Sequence, residues 1–243
     1  MAGSGPGGAI PGRPPGSPTY VHELAGTVWV VSVSGLVAGL VIGILLRAAM
    51  FVLRLASPGS TGLISDDGFE VGRVTVFGVY NLVMLGVALG ILGAAAYVAV
   101  HPFLLGPRWV RRLTVGFSAT AIGGAANITD GGVDFTLLNP QVGVALFLLV
   151  PFLAGLLVSA AVDRVGGRAR RPTWLPLLIL AFPLAALFGA FQVAVIAALL
   201  PVRRALLDRV LASTTSLWVV RGLFGAIPVA ACVALVPELR AVL

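Results

Sequence analysis

Five acidic side chains open the chemical question: Asp66, Asp67 and Glu70 in SDDGFEVGR (65–73), and Asp130 and Asp134 in NITDGGVDFTLLNP (127–140). Asp and Glu together number 9 in 243 residues, so five in two short stretches is a concentration. Carboxylates grouped in this way can hold a hard cation or meet a basic partner. The spacing in DDGFE is not that of an EF-hand, which needs oxygen ligands at alternate positions and a terminal Glu twelve along. A turn at Asp66-Asp67-Gly68, with Arg73 paired to one of the acids, is the structural reading of the first stretch. In the second, Gly131 and Gly132 permit a tight turn, and Asp130 or Asp134 would cap a short helix running into FTLL and ending before Pro140. Asn127-Ile128-Thr129 also fits a glycosylation sequon, which matters only in a secretory pathway.

A seventh candidate, beside these five and Arg73, is Arg221, a cation inside an apolar segment. A central Arg in a bilayer costs about 2.5–3.5 kcal/mol and so faces a partner or water; near a span end it can snorkel to the interface. Asn81 and Gln192 are amides in apolar segments, and with Arg221 they would line a polar path if the chain transported a solute. His101 is read as interfacial. Catalytic sets such as G-x-S-x-G, H-E-x-x-H or a Walker loop are not present in the sequence, nor is a cluster of His or paired Cys. The expectation is therefore no cofactor, no metal and an assembly or interaction component; the alternatives are a small transporter or channel and a membrane-embedded enzyme using the acidic loops. Cys232, the single cysteine, is expected to be a small core residue.

The elements that must position these residues are legible from composition. Hydrophobic residues make up 58% and charged residues 10%, with no Lys among the 16 basic residues. Soluble domains are about a quarter charged, so the reading is an all-α polytopic transmembrane helix bundle. About 20 apolar residues cross the hydrocarbon core. Spans are expected at 26–46, 74–100, 141–162, 173–200 and 211–236, with a short one, or a re-entrant segment, at 113–128. Residues 1–24 form a Gly- and Pro-rich disordered tail without signal-peptide character, and 25–243 the membrane domain. The segment 106–113 (GPRWVRRL) is an Arg-bearing interfacial connection, and 201–212 (PVRRALLDRVLA) either lies along the membrane surface or starts the last span.

The net charge of +7 does not point to nucleic acid, because the arginines flank apolar segments rather than forming a basic face. Six spans with a cytoplasmic N-terminus put more arginines inside than outside, and the two acidic loops then share the outer face. The expected setting is a bacterial plasma membrane, the bilayer itself being one partner and a membrane protein another. Small residues every four positions (Gly35, Gly39 and Gly43; Gly86 and Gly90; Ala181, Ala185 and Gly189; Ala226, Ala230 and Ala234) predict close helix packing. Pro151 and Pro183 predict kinks.

SDDGFEVGR, GPRWVRRL and TDGGVDFTLLNP together resemble a group of actinobacterial-type multi-pass membrane proteins with SDDGF and DGVDFTLL segments and no assigned activity. The resemblance covers roughly residues 25 to 165, and this chain has an additional Gly in TDGGVDF. It implies no catalytic role for any residue. It implies that the two acidic loops belong to one structural unit on the outer face.

Overall fold

A computed structural model describes residues 18–57, 75–128, 138–167, 205, 207, 208, 210 and 213–242. All regular structure among them is helical: α1 (Pro18–Leu55), α2 (Val76–Val100), a 3-10 turn at His101–Phe103, α3 (Arg108–Asn127), α4 (Pro140–Gly166) and α5 (Thr214–Val242). The spans Ala25–Leu55, Val76–Phe103, Pro140–Gly166 and Thr214–Val242 are long and apolar enough to cross a membrane. The chain divides into two units. One comprises Met1–Trp29 and Pro172–Thr214; of it, the start of α1 and a few helical residues between 205 and 210 are described. The other, Val30–Arg171 with Thr215–Leu243, holds the remaining elements and is the subject below.

Local chemistry sets the helix ends. The Thr75 hydroxyl accepts the Gly78 N–H at 3.0 Å and caps α2. The Asn139 side chain accepts the Val142 N–H at 3.3 Å, and Pro140 fills the first helical position of α4, where its missing N–H costs nothing. Gly106, at φ +85°, takes the left-handed turn that leads into α3, a conformation in which a Cβ is strained.

α1 and α2 pack antiparallel along a seam of glycines. A Cβ at Gly39 would lie 2.5 Å from Val87 Cα, at Gly35 2.6 Å from Ile91 Cα and at Gly43 2.7 Å from Val83 Cα. In return, Gly86 abuts the Gly43 backbone and Gly90 the Gly35 carbonyl. The four-residue spacing has therefore become a backbone-to-backbone groove. α3 and α4 use the same device: a Cβ at Gly155 would lie 2.9 Å from Gly116 Cα, and one at Gly123 2.9 Å from the Pro151 ring. The Thr120 hydroxyl donates to Gly116 O at 3.0 Å and reaches Leu148 O on α4 at 3.3 Å. α4 runs unbroken through Pro151.

Four features depart from the sequence reading. α1 starts at Pro18, so residues 18–24, expected in a disordered tail, are helical. The segment expected at 113–128 is one continuous helix of 20 residues that starts at Arg108, so RWVRRL is its first turns rather than a connection. It runs antiparallel along α4 from Arg112 beside Asp163 to Ile128 beside Val144, which is not the geometry of a re-entrant loop. Cys232 is exposed on α5 rather than in a core. Ala226, Ala230 and Ala234 are likewise exposed, and no atom of a neighbouring residue would lie within 4 Å of a Cβ at Gly222 or Gly225. The predicted groove on α5 therefore seats no described helix. The Ala181, Ala185 and Gly189 set, Pro183 and the expected 173–200 span lie outside the described residues.

The bundle has two unlike ends. One gathers the C-terminal ends of α2 and α4, the start of α3 and Arg221 on α5. The other gathers Ser57 after α1, Ile128 after α3, the start of α4 and Leu235 on α5. Thus α5 runs in the same direction as α1 and α3, and α4 ends where α5 begins. Strict alternation through one intervening span would have reversed α5.

The seams make a contrast that can be measured. Gly39→Ala is expected to lower stability by about 1–3 kcal/mol through overpacking. Gly222→Ala, set in open space, should change it by no more than about 1 kcal/mol, in the stabilising direction. Unfolding of both variants in one mild detergent checks this; equal effects would mean the α1–α2 seam is not close packed.

Candidate functional site: a polar clamp at one end of the bundle

Of the seven residues singled out in the sequence, Asp66, Asp67, Glu70, Arg73, Asp130 and Asp134 lie outside the described residues, as does Gln192. The ends of the two segments that carry them are described. The Asn139 N–H, just after the second segment, donates to the Ser57 hydroxyl, just before the first, at 2.9 Å. The described residues that flank the two segments, Ser57 and Asn139, therefore meet at one end of the bundle.

Arg221 is at the other end. Its Nε donates to the Phe103 carbonyl at 3.3 Å, and its guanidinium lies 5.2 Å from the Trp218 ring centroid. Phe103 and Phe224 stack at 5.6 Å beside it. A carbonyl without an i+4 donor at the 3-10 turn and an aromatic face thus receive this cation. Asn81 is exposed near the start of α2, some 22 residues from Phe103, or roughly 30 Å at ~1.5 Å per residue. The structure does not bring Arg221 and Asn81 together.

What it does assemble is a set that spacing alone did not reveal. Tyr97, nearly inaccessible at 2% exposure, donates its hydroxyl to Asp163 Oδ1 at 3.0 Å. Arg112 places Nε and Nη2 on Asp163 Oδ2 at 3.0 and 2.9 Å. One carboxylate thereby ties the end of α2 to the start of α3 and the end of α4. With Asp163 14% exposed and Arg112 31%, the pair is shielded without being dry, so its attraction is stronger than that of a surface ion pair.

Beside the clamp, His101 stands edge-on to Tyr97 with ring centroids 5.4 Å apart. Its Nε2 is 2.9 Å from Arg111 Nη1. Guanidinium only donates, so His101 Nε2 is the acceptor in this arrangement and the ring proton sits on Nδ1. The Arg111 Nε is shielded from solvent and has no hydrogen-bond partner.

The spacing of these residues explains why they were missed. Asp163 is 66 residues from Tyr97 and 51 from Arg112, and it ends an apolar run as a single charge. The available signal was an Asp placed among cytoplasm-type arginines, since Arg164 follows it directly. The arrangement is chemically a positional lock: a carboxylate fully engaged by a phenol and a guanidinium presents no open nucleophile. No group of three or more His, Cys, Asp or Glu residues suited to a metal ion occurs among the described residues. The chain matches no protein-family model, no curated protein and no solved structure.

If the clamp is one cooperative unit, Asp163→Asn should cost about 1.5–3 kcal/mol by stranding Arg112 and weakening the Tyr97 contact, and Tyr97→Phe about 1 kcal/mol. The double variant should lose less than the sum of the two. Denaturant unfolding in detergent reads the cycle, and strict additivity would show that the phenol and the carboxylate do not cooperate.

Proposed function

We propose that the chain is a non-enzymatic component of a bacterial plasma membrane that meets a membrane-protein partner through its two acidic segments. The observation that supports this reading is the Asn139–Ser57 hydrogen bond, which joins the described residues flanking the two segments at one end of the bundle. Asp66, Asp67, Glu70, Asp130 and Asp134 would then contribute to one acidic surface, with Arg73 as its internal counter-charge. A basic extramembrane face on the partner is the complementary chemistry.

Orientation follows from arginine placement. Among the described residues, Arg108, Arg111, Arg112, Arg164 and Arg221 lie at the clamp end, and Arg47, Arg54 and Arg240 toward the other. The positive-inside tendency assigns the clamp end to the cytoplasm and the acidic segments to the outer side. The N-terminal end of α1 is then cytoplasmic. α5 runs in the same direction as α1 and α3, which six strictly alternating spans would not give.

Accessibility of single cysteines tests the proposal. In a Cys232→Ala background, Ser65→Cys and Thr136→Cys should both react with an impermeant maleimide on intact cells, whereas Leu105→Cys should react only after the membrane is opened. Labelling of only one of the first two would remove the shared surface. Should both label, neutralising Asp66, Asp67 and Glu70 together is expected to abolish partner co-purification without lowering the amount of protein in the membrane.

A further inference from the structure

The clamp leaves one of its cations poorly compensated, and that imbalance has a direction. Five arginines of the described residues lie at this end: Arg108, Arg111, Arg112, Arg164 and Arg221, the last bonded to the Phe103 carbonyl. Among the described residues of this unit, Asp163 is the only carboxylate there, and Arg112 already takes its Oδ2 while Tyr97 takes its Oδ1. Arg111 has His101 on one terminal nitrogen, a neutral acceptor that leaves the positive charge in place. Its Nε is out of contact with water and unpartnered. A partly desolvated guanidinium without a counter-ion is unfavourable, and an anion relieves it.

The surroundings say what kind of anion. Arg108 is exposed and stands three residues before Arg111, on the same helix face. α3 begins after Pro107 without a side-chain cap, so its first-turn amides are open toward the same place. Trp109 and Leu105, 65% and 50% exposed, flank the two arginines with apolar surface. Trp beside Arg, a few residues past the end of the apolar span Val76–Phe103, is the chemistry of the headgroup zone, where the indole meets the upper acyl chain and the guanidinium meets phosphate. A free phosphate would make no use of Leu105 and Trp109.

We infer that Arg111 and Arg108, with Trp109 and Leu105 beside them, form a binding site for the phosphate of an anionic glycerophospholipid at the clamp end of the bundle. The inference rests on the membrane reading of the apolar helices and adds to it a lipid class and a location. The bound phosphate completes the charge balance that Asp163 leaves open. It thereby ties the stability of the α2–α3–α4 junction to the lipid around it.

The test uses the full chain purified in an uncharged detergent, with its unfolding midpoint read at increasing phosphatidylglycerol, phosphatidylcholine or inorganic phosphate. Phosphatidylglycerol is expected to raise the midpoint saturably and at concentrations about fivefold or more below phosphatidylcholine. Arg111→Gln is expected to abolish that difference. Arg108→Gln, an exposed position that tolerates substitution, should weaken the phosphatidylglycerol effect about fivefold, and Arg240→Gln should leave it intact. Equal effects of the two lipids, a full effect in Arg108→Gln, or an equal effect of inorganic phosphate would overturn the lipid site. Extraction of the chain from membranes by alkaline carbonate without detergent would instead overturn the membrane reading on which it stands.

Discussion

Backbone-to-backbone approach at glycine is the constraint on which this bundle depends. Inside lipid, apolar side chains gain nothing by leaving their surroundings for one another, so helices associate through close contact and a few hydrogen bonds. The α1–α2 seam meets that requirement without a polar contact among its glycines: Gly35, Gly39 and Gly43 face Gly86 and Gly90 at distances no Cβ could share. The α3–α4 seam adds the Thr120 hydroxyl, which bonds within its own helix and across to Leu148 O. Both pairs are antiparallel hairpins, and Gly93 against Val158 brings the first pair to the second.

Seams of this kind fix distance better than register, because a smooth surface can slide. The two ends of the bundle supply the register. At one, the Asp163 carboxylate holds Tyr97 and Arg112, so α2, α3 and α4 can meet at only one axial position. At the other, the Ser57 hydroxyl holds the Asn139 amide, and a small apolar cluster of Ile128, Val144 and Leu235 joins α3, α4 and α5. The charged lock is at the arginine-rich end, and the neutral one joins Ser57 to Asn139 at the other.

Much of this was legible beforehand, for physical reasons that also mark where legibility stops. Runs of about 20 apolar residues announced α1, α2, α4 and α5, and Gly spacing announced the α1–α2 seam. α3 was harder: its three arginines and many small residues lower its hydropathy, so it read as short, although its N-terminal arginines belong to the helix and one of them forms the clamp. Ala226, Ala230 and Ala234 carried the same spacing as the true seams and proved exposed. A small-residue stripe records that a helix can be approached, not that something approaches it. Asp163 was passed over because one acid at the end of an apolar run looks interfacial; its role is set by Tyr97 and Arg112, far away in sequence.

Arg221 shows how the same cation can be read in two ways until its surroundings are known. An arginine within a span can mark a solute path, in which case other polar groups should converge on it at membrane depth. Here it bonds the Phe103 carbonyl and lies against Trp218, with Phe224 packed on Phe103. Asn81 stands near the opposite end of α2. Both partners of Arg221 sit at the helix ends where the clamp and Arg108, Arg111 and Arg164 gather. The cation therefore behaves as a snorkelling anchor for α5, adding one more positive charge to the end already crowded with them. A bundle locked by a carboxylate at one end and by the Ser57–Asn139 contact at the other has its distinctive described chemistry at its two ends rather than through its middle.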